Sequence, residues 1–504
     1  MNVAATFRSS SYWNKYKHHF GFAKAVSPET GGSLELEPHD HETSLKKELD
    51  AKHASLLKRY MVVYLLAVLS DWLQGPYVYA LYERYGYSQH SIAVLFVAGF
   101  GSSMIFGSFI GGLADSCGRR KFVILFAIIY ASSCVTKHFK DFGVLMLGRL
   151  LGGIATSLLF SIFDSWLIKS HAQAGVSSYL SKSFSVASYG NSTIAILAGL
   201  FANKAASMNE LKPFFDPDPN TAKFYTGGFL NPFDMALVAV ALCGIFAALF
   251  WDENYGTDNR NNTGDSSKKE VSLYGGFKNA FFTTYNSTDI LLTGIICSLF
   301  EGSMYIFVFM WTPAMTNLTK EAGSNDALPF GLIFSTFMVC CMAGSSIFSI
   351  AVEKVSCERM GLGVFSGATA SFMLMALSTS DTLTFLAFLL FEMSVGCYFP
   401  MMGTMKSAIV PESKRAAIYN LYRIPLNFIV LFSLLTNLTP KQSFILCATM
   451  LGTATFLQTK LISYQKTINH ASTPPTDESD LELARESSQN ETLEEPFLVK
   501  SVAE

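Results

Sequence analysis

The chain has 504 residues, of which 50% are hydrophobic and only 15% charged, and its mean hydropathy is +0.31. That balance is too apolar for a soluble protein of this length and reads as an all-α polytopic membrane protein seated in a lipid bilayer. A formal net charge of −2 leaves no global basic field for nucleic acid, so any charge that matters is local.

Residues 1–59 are polar and mixed in charge and lack the short apolar core and cleavage site of a signal peptide, so they read as a cytoplasmic tail ahead of a self-inserting first span. Apolar runs able to cross about 30 Å of hydrocarbon follow at 60–82, 91–114, 121–137, 142–168, 181–203 and 233–251. The stretch DENYGTDNRNNTGDSSKKE, from Asp252, then marks a flexible cytoplasmic linker over 252–287. Further runs fall at 288–311, 329–351, 360–379, 382–405, 416–436 and 441–463. From 464 the chain is acidic and poor in aromatics, which reads as a disordered tail. The expected architecture is therefore about twelve transmembrane helices in two six-helix halves, 60–251 and 288–463. The halves echo one another: GSSMIF at Gly101 recurs as GSSIF at Gly344, and SCGRR at Ser116 as SCERM at Ser356. Transporters with duplicated halves place their site at the repeat interface.

The Lys and Arg bias of the loops favours both termini in the cytoplasm, with the plasma membrane as the expected residence. That orientation puts the sequons at Asn317 and Asn437 outside and those at Asn261 and Asn286 inside. The nine cysteines are an odd number and most sit in apolar runs, which suits packing and not a disulfide framework.

Charges inside the spans are the functional candidates, because each costs a few kcal/mol or more at mid-membrane. Asp71 lies halfway along the first run, in SDWLQGPYVY. The loop GGLADSCGRRK between the second and third spans has the pattern GxLADxxGRR, the signature loop of the major facilitator superfamily. In it Gly111 and Gly118 permit a tight turn, Asp115 is expected to cap a helix or meet an arginine across the half interface, and Arg119 and Arg120 anchor the inner edge. A conformational gate is the expectation, and a topological anchor the alternative. Arg149, in GRLLGGIATSLLFSIFDSW, sits about 10 Å into the fourth span and Asp71 about 16 Å into the first, so the two are expected to pair, as a static or a functional bridge. Glu301 in the seventh span and Glu392 in the tenth lie near mid-membrane. In the superfamily's fold, spans one, four, seven and ten line the central cavity, so Asp71, Arg149, Glu301 and Glu392 are expected to share it, with the two glutamates as proton-coupling candidates. Arg423, about two turns into the eleventh span beside Pro425, is expected to bind an anion, pair with Glu392 or snorkel to the interface. Trp72, Tyr77, Tyr79, Tyr305, Phe307 and Trp311 either line a solute path or, as such residues more commonly do, form an interface belt or pack against lipid. The HDH at His39 to His41 has no third ligand at usable spacing, so no metal is expected, and no motif of a nucleotide-binding or hydrolytic enzyme is present, so no cofactor is either.

Taken together, DWLQGPYVYALY, GGLADSCGRR, GRLLGGIATSLLFSIFDSW, WDENYG, FEGSMYIFVFMWTP and YRIPLN make the chain resemble the molybdate-anion transporter family, a branch of the major facilitator superfamily, from about Tyr60 to Lys460. The resemblance implies uptake of molybdate, a tetrahedral dianion, by alternating access. In FDSW the acidic position is Asp164 where relatives often carry Glu. Three carboxylates against Arg149 and Arg423 would require the acids to be protonated or paired, which motivates proton coupling. Oxyanion donors are sought in the two arginines, Ser and Thr hydroxyls and the break near Gly75-Pro76. An organic-solute carrier of the same fold, or a membrane receptor or scaffold, are the competing readings.

Overall fold

The computed structural model describes residues 38–107, 110–214, 222–256, 281–321, 323, 328–411 and 415–471. The tail ahead of Pro38, the linker over 257–280 with Asn261, and the acidic tail beyond Ala471 lie outside the described residues. The first span belongs to a longer helix than hydropathy marks out: α1 runs Pro38–Gln74. It stops at a 3-10 turn over Gly75–Tyr77, where Pro76 has no N–H to continue the ladder, and resumes as α2, Val78–Arg84. The second span is α3, Gln89–Gly107, followed by α4, Ile110–Cys117. Then come α5 (Arg119–Thr136), α6 (Phe142–Gln173) and α7 (Leu180–Ala206). A small antiparallel hairpin, β1 (Lys212–Pro213) with β2 (Tyr225–Thr226), precedes α8 (Asn231–Phe250). The second half comprises α9 (Thr288–Glu321), α10 (Phe330–Ala351), α11 (Cys357–Leu377), α12 (Asp381–Ile409), α13 (Arg415–Leu435) and α14 (Pro440–Ala471). Nine helices among the described residues are long and apolar enough to cross a membrane. Local sequence starts several of them: Asp141, Ser356 and Ser380 each accept a backbone N–H at the head of α6, α11 and α12.

The internal echo in the sequence has one structural meaning in both halves. Ser102 Oγ donates to the Leu150 carbonyl of α6 at 3.1 Å, and Ser345 Oγ to the Gly396 carbonyl of α12 at 2.8 Å. In each half, then, the serine after the glycine of GSS ties the second helix to the fourth. Glycine lets those backbones touch: a Cβ on Gly153 would strike the Gly99 carbonyl, and one on Gly396 the Cys341 carbonyl.

Among the described residues the polar contacts between the halves gather at one face. At the face opposite Pro38 and Ala471, Ser335 Oγ of α10 donates to the Ile196 carbonyl of α7 at 2.8 Å, and a Cβ on Gly199 would lie 2.6 Å from the Gly331 carbonyl. At the same face Gln89 donates to the Leu438 carbonyl at 3.1 Å, and His90 and Asn437 share a 2.6 Å hydrogen bond. Toward the termini the same α7 and α10 diverge around a space of about 810 Å³ lined by Ser181, Ser185, Ser188, Ser345, Ser346 and Ser349 among others. The bundle is closed at the far face and open at the tail face.

Candidate functional site: a cavity between the halves

A cavity of about 600 Å³ lies between α3 and α6 on one side and α9, α12 and α13 on the other. Its polar lining is Ser103, Thr156, Ser157, Ser161, Glu301, Tyr305, Arg423 and Asn427. The seventh span brings Glu301 and Tyr305 to it one turn apart, and the eleventh brings Arg423 and Asn427 by the same spacing.

Glu301 is not free. Its Oε1 accepts from Tyr398 Oη at 3.0 Å and from Cys297 Sγ at 3.1 Å, and Lys406 Nζ stands 3.9 Å away. Arg423 has no hydrogen bond or ion pair with a described residue and is exposed to the cavity. The hydroxyls opposite are committed as donors: Thr156 to the Gly152 carbonyl at 3.0 Å, Ser157 to the Ser103 carbonyl at 2.8 Å and Ser161 to the Ser157 carbonyl at 2.7 Å. They present lone pairs to the space, so the uncommitted donors around it are the Arg423 guanidinium, the Asn427 amide and the Tyr305 hydroxyl.

The other candidates lie elsewhere. Asp71 does not meet Arg149; its Oδ1 accepts from Tyr130 Oη of α5 at 2.6 Å. It lines a separate space of about 60 Å³ with Asp164, Asn191 and Trp72, and Phe160 borders both this space and the cavity. Axial depth matched Asp71 to Arg149, but azimuth separates them: α1 turns Asp71 toward α5, while α6 turns Arg149 toward α3. There Arg149 Nε donates to the Leu95 carbonyl at 3.2 Å, and the guanidinium covers the Phe96 ring at 4.5 Å. Glu392 is buried at 7% exposure, does not line the cavity, and has neither Arg423 nor any other described residue as a hydrogen-bond partner. Gly75 and Pro76 do not line it either; the break packs near Phe334 of α10. Of the aromatics, Tyr305 faces the cavity, whereas Trp72, Tyr77, Tyr79, Phe307 and Trp311 pack against other rings. Among the described residues no cluster of His, Cys, Asp and Glu could hold a metal, and all nine cysteines are free thiols.

The signature loop is bound to its own half. Asp115 pairs with Arg119 at 2.7 Å, one turn on, and Arg119 also donates to the Ser165 carbonyl of α6 at 2.9 Å. Asp115 caps no helix; that task falls to Glu253, which accepts the N–H groups of Arg120 at 2.8 Å and Lys121 at 3.3 Å. Gly118, at φ +110°, leaves room for the Glu253 carboxylate. The rest of WDENYG completes the knot, with Trp251 stacked on Trp166 at 3.9 Å and Asn254 donating to the Trp166 carbonyl at 3.1 Å. Sequence reasoning missed Glu253, Tyr130, Tyr398 and Lys406; an intramembrane lysine at the end of the tenth run is the one signal that was there to be read.

Comparison with known proteins decides the family. The model described as sugar transporters with 12 TM matches residues 30–380. The molybdate-anion transporter of Takifugu rubripes is 32% identical over 400 residues, covering 75% of this chain and 78% of that protein. Its counterpart in Xenopus tropicalis is 34% identical over 385 residues, covering 74% and 76%. This chain belongs to the molybdate-anion transporter family of the major facilitator superfamily. The fold agrees: the nucleoside transporter NupG superposes with a TM-score of 0.59 at 12% identity, covering 81% of this chain and 98% of that one. The peptide transporter POT in complex with sulfate gives 0.61 at 14% identity, covering 82% and 94%. This family member is thus a multi-pass membrane transporter and not an enzyme.

Proposed function

We propose that the protein takes up molybdate across the plasma membrane and that Arg423 is its principal ligand. The observation that carries this reading is a guanidinium without a partner among the described residues, facing a cavity between the halves. A planar fork of N–H donors suits a tetrahedral oxyanion, and Asn427 and Tyr305 stand beside it. The charge set also favours an anion. Glu301 is the carboxylate at the cavity and Arg423 the cation, and Lys406, which does not line it, stands 3.9 Å from Glu301, so two positive charges balance against one negative; Asp71 and Glu392, expected there from the sequence, are not part of the set.

Proton coupling follows from the same residues. A dianion on Arg423 gains from a second cation, and Lys406 is engaged by Glu301 at 3.9 Å. A proton taken up by Glu301 cancels that carboxylate charge and frees Lys406 for the anion, so proton and dianion bind together. With both termini in the cytoplasm the bundle described here is open inward, and the Asp115 and Arg119 loop, bound to its own half, is ready to meet the other half on closure.

The test is uptake of labelled molybdate at low external concentration by cells lacking their own carriers, with surface amounts measured. Intact protein gives saturable uptake that rises as external pH falls. Arg423→Ala loses on the order of tenfold or more, the worth of a charge-assisted hydrogen bond. Glu301→Gln, a permanent mimic of the protonated acid, keeps binding but loses the pH dependence. Uptake by Arg423→Ala equal to that of intact protein would overturn the assignment.

A further inference from the structure

We propose a second oxyanion site, formed by Lys137, Arg149 and the Tyr82 hydroxyl, between the cavity and the closed face. The inference rests on the oxyanion reading above and names a staging point on the same path. Lys137 follows the last turn of α5 and is only 2% exposed, yet its ammonium has no hydrogen bond or ion pair with a described residue. Its Nζ stands 6.0 Å from the centroid of the Tyr82 ring. Tyr82, on α2, is fully buried, and its hydroxyl has no hydrogen-bond partner among the described residues. Arg149 uses Nε for the Leu95 carbonyl and has no carboxylate partner, and it lies within electrostatic reach of both Tyr82 and Lys137.

The Lys137 ammonium and the Tyr82 hydroxyl are donors without an acceptor among the described residues, and Arg149 has donors to spare beyond Nε. A buried amine and an orphaned hydroxyl beside a half-buried guanidinium are costly unless an anion joins them. Of the carboxylates around this end of α5, Asp71 is engaged by Tyr130 and Asp234 by His138. Snorkelling does not relieve Lys137, because its side chain is not in water. Glycine lets α3 and α6 close on these side chains: a Cβ on Gly148 would strike Thr136 and lie 3.2 Å from Lys137 Nζ, and one on Gly99 would lie 2.8 Å from Arg149 Nη2. A dianion answers two cations and a hydroxyl in charge and in hydrogen bonding.

Position supplies the function. Arg149 and Gly99 belong to α6 and α3, the helices that also give Thr156, Ser157 and Ser103 to the cavity. From Arg149 to Thr156 is about 10 Å along the helix toward the tail face. An anion entering when the far face opens meets Lys137 and Arg149 first, then passes along the seam to Arg423.

The probe is labelled molybdate, bound at equilibrium to the purified full chain in excess chloride, with size exclusion confirming that each variant is folded. Intact protein binds more than one molybdate per chain, and Arg423→Ala keeps one. Adding Lys137→Gln to Arg423→Ala removes that one, and Tyr82→Phe, which deletes a single hydroxyl, weakens it by about fivefold to tenfold. If Lys137→Gln does not fold, Tyr82→Phe decides alone. One molybdate per intact chain, lost entirely in Arg423→Ala, overturns the second site and leaves the cavity assignment standing. A single molybdate per intact chain that Arg423→Ala leaves unchanged and Tyr82→Phe weakens supports the second site and removes the cavity assignment. Displacement of the second molybdate by chloride counts against an oxyanion site, and no binding to folded intact protein overturns both.

Discussion

Asp71 owes its place in the bundle to one phenol. Tyr130 Oη donates to it at 2.6 Å, and a half-buried carboxylate without that donor bears its desolvation unrelieved. Tyr130→Phe is therefore expected to destabilise the protein by about 1 to 3 kcal/mol, read as a lower melting temperature in detergent. Asp71→Asn still accepts from Tyr130 and is expected to melt and transport close to intact protein. Which side chains are charged and how deep they lie was legible in the sequence; which neighbour each one faces was not. Depth along a helix follows from residue number, but the direction a side chain points follows from how helices rotate against one another. So Glu301 and Arg423 line the cavity between the halves, while Asp71, Arg149 and Glu392 turn toward other neighbours. Lys137 and Tyr82 escaped notice because each sits at the edge of an apolar run, where a polar residue draws no comment.

At the scale of elements, the start of α5 shows how far a motif can be read. GxLADxxGRR identified the loop, but the side chain that caps the helix, Glu253, is 133 residues from Arg120 in sequence. Gly118→Ala must hold φ +110° and place a methyl 2.7 Å from Glu253 Cδ. It is expected to cost about 1 to 3 kcal/mol and to expose α5 to faster amide exchange at its first turn. A second junction, at the far face, responds to pH. His138 Nε2 stands 3.0 Å from Asp234 Oδ1, and Nδ1 lies 3.0 Å from the Tyr225 carbonyl, so the ring joins α8 and β2 to the end of α5. Burial opposes its charged form, but the Asp234 hydrogen bond, the Tyr225 carbonyl and the Asp234 charge outweigh it and raise the pKa above the ordinary 6.5. A group whose pKa rises on folding stabilises fully below its unfolded value, and that contribution is lost as pH climbs through the folded value. Asp234 is half-exposed, so the effect is about 1 kcal/mol or less. The melting temperature is expected to fall as pH climbs from the ordinary 6.5 through the raised folded value, and the fall to be smaller in His138→Gln.

For the whole molecule, hydropathy and the GSS echo were enough to foresee a twelve-span duplicated bundle, because both depend on local composition. The state of the bundle depends on contacts between halves and was beyond reach. Closure at the far face rests on a few polar contacts, among them His90 with Asn437 at 2.6 Å, and alternating access requires them to part. Cysteines at both positions, bridged by a short bifunctional thiol reagent, are expected to abolish uptake, while the same double variant without reagent still transports. Full uptake after bridging would mean that the far face need not open. The most direct test of the account is transport by purified protein in liposomes, which removes every other carrier. The account predicts saturable uptake of labelled molybdate by intact protein and by Asp71→Asn, and loss of on the order of tenfold or more in Arg423→Ala. Folded intact protein that moves no molybdate, or an Arg423→Ala variant that moves as much, would contradict it.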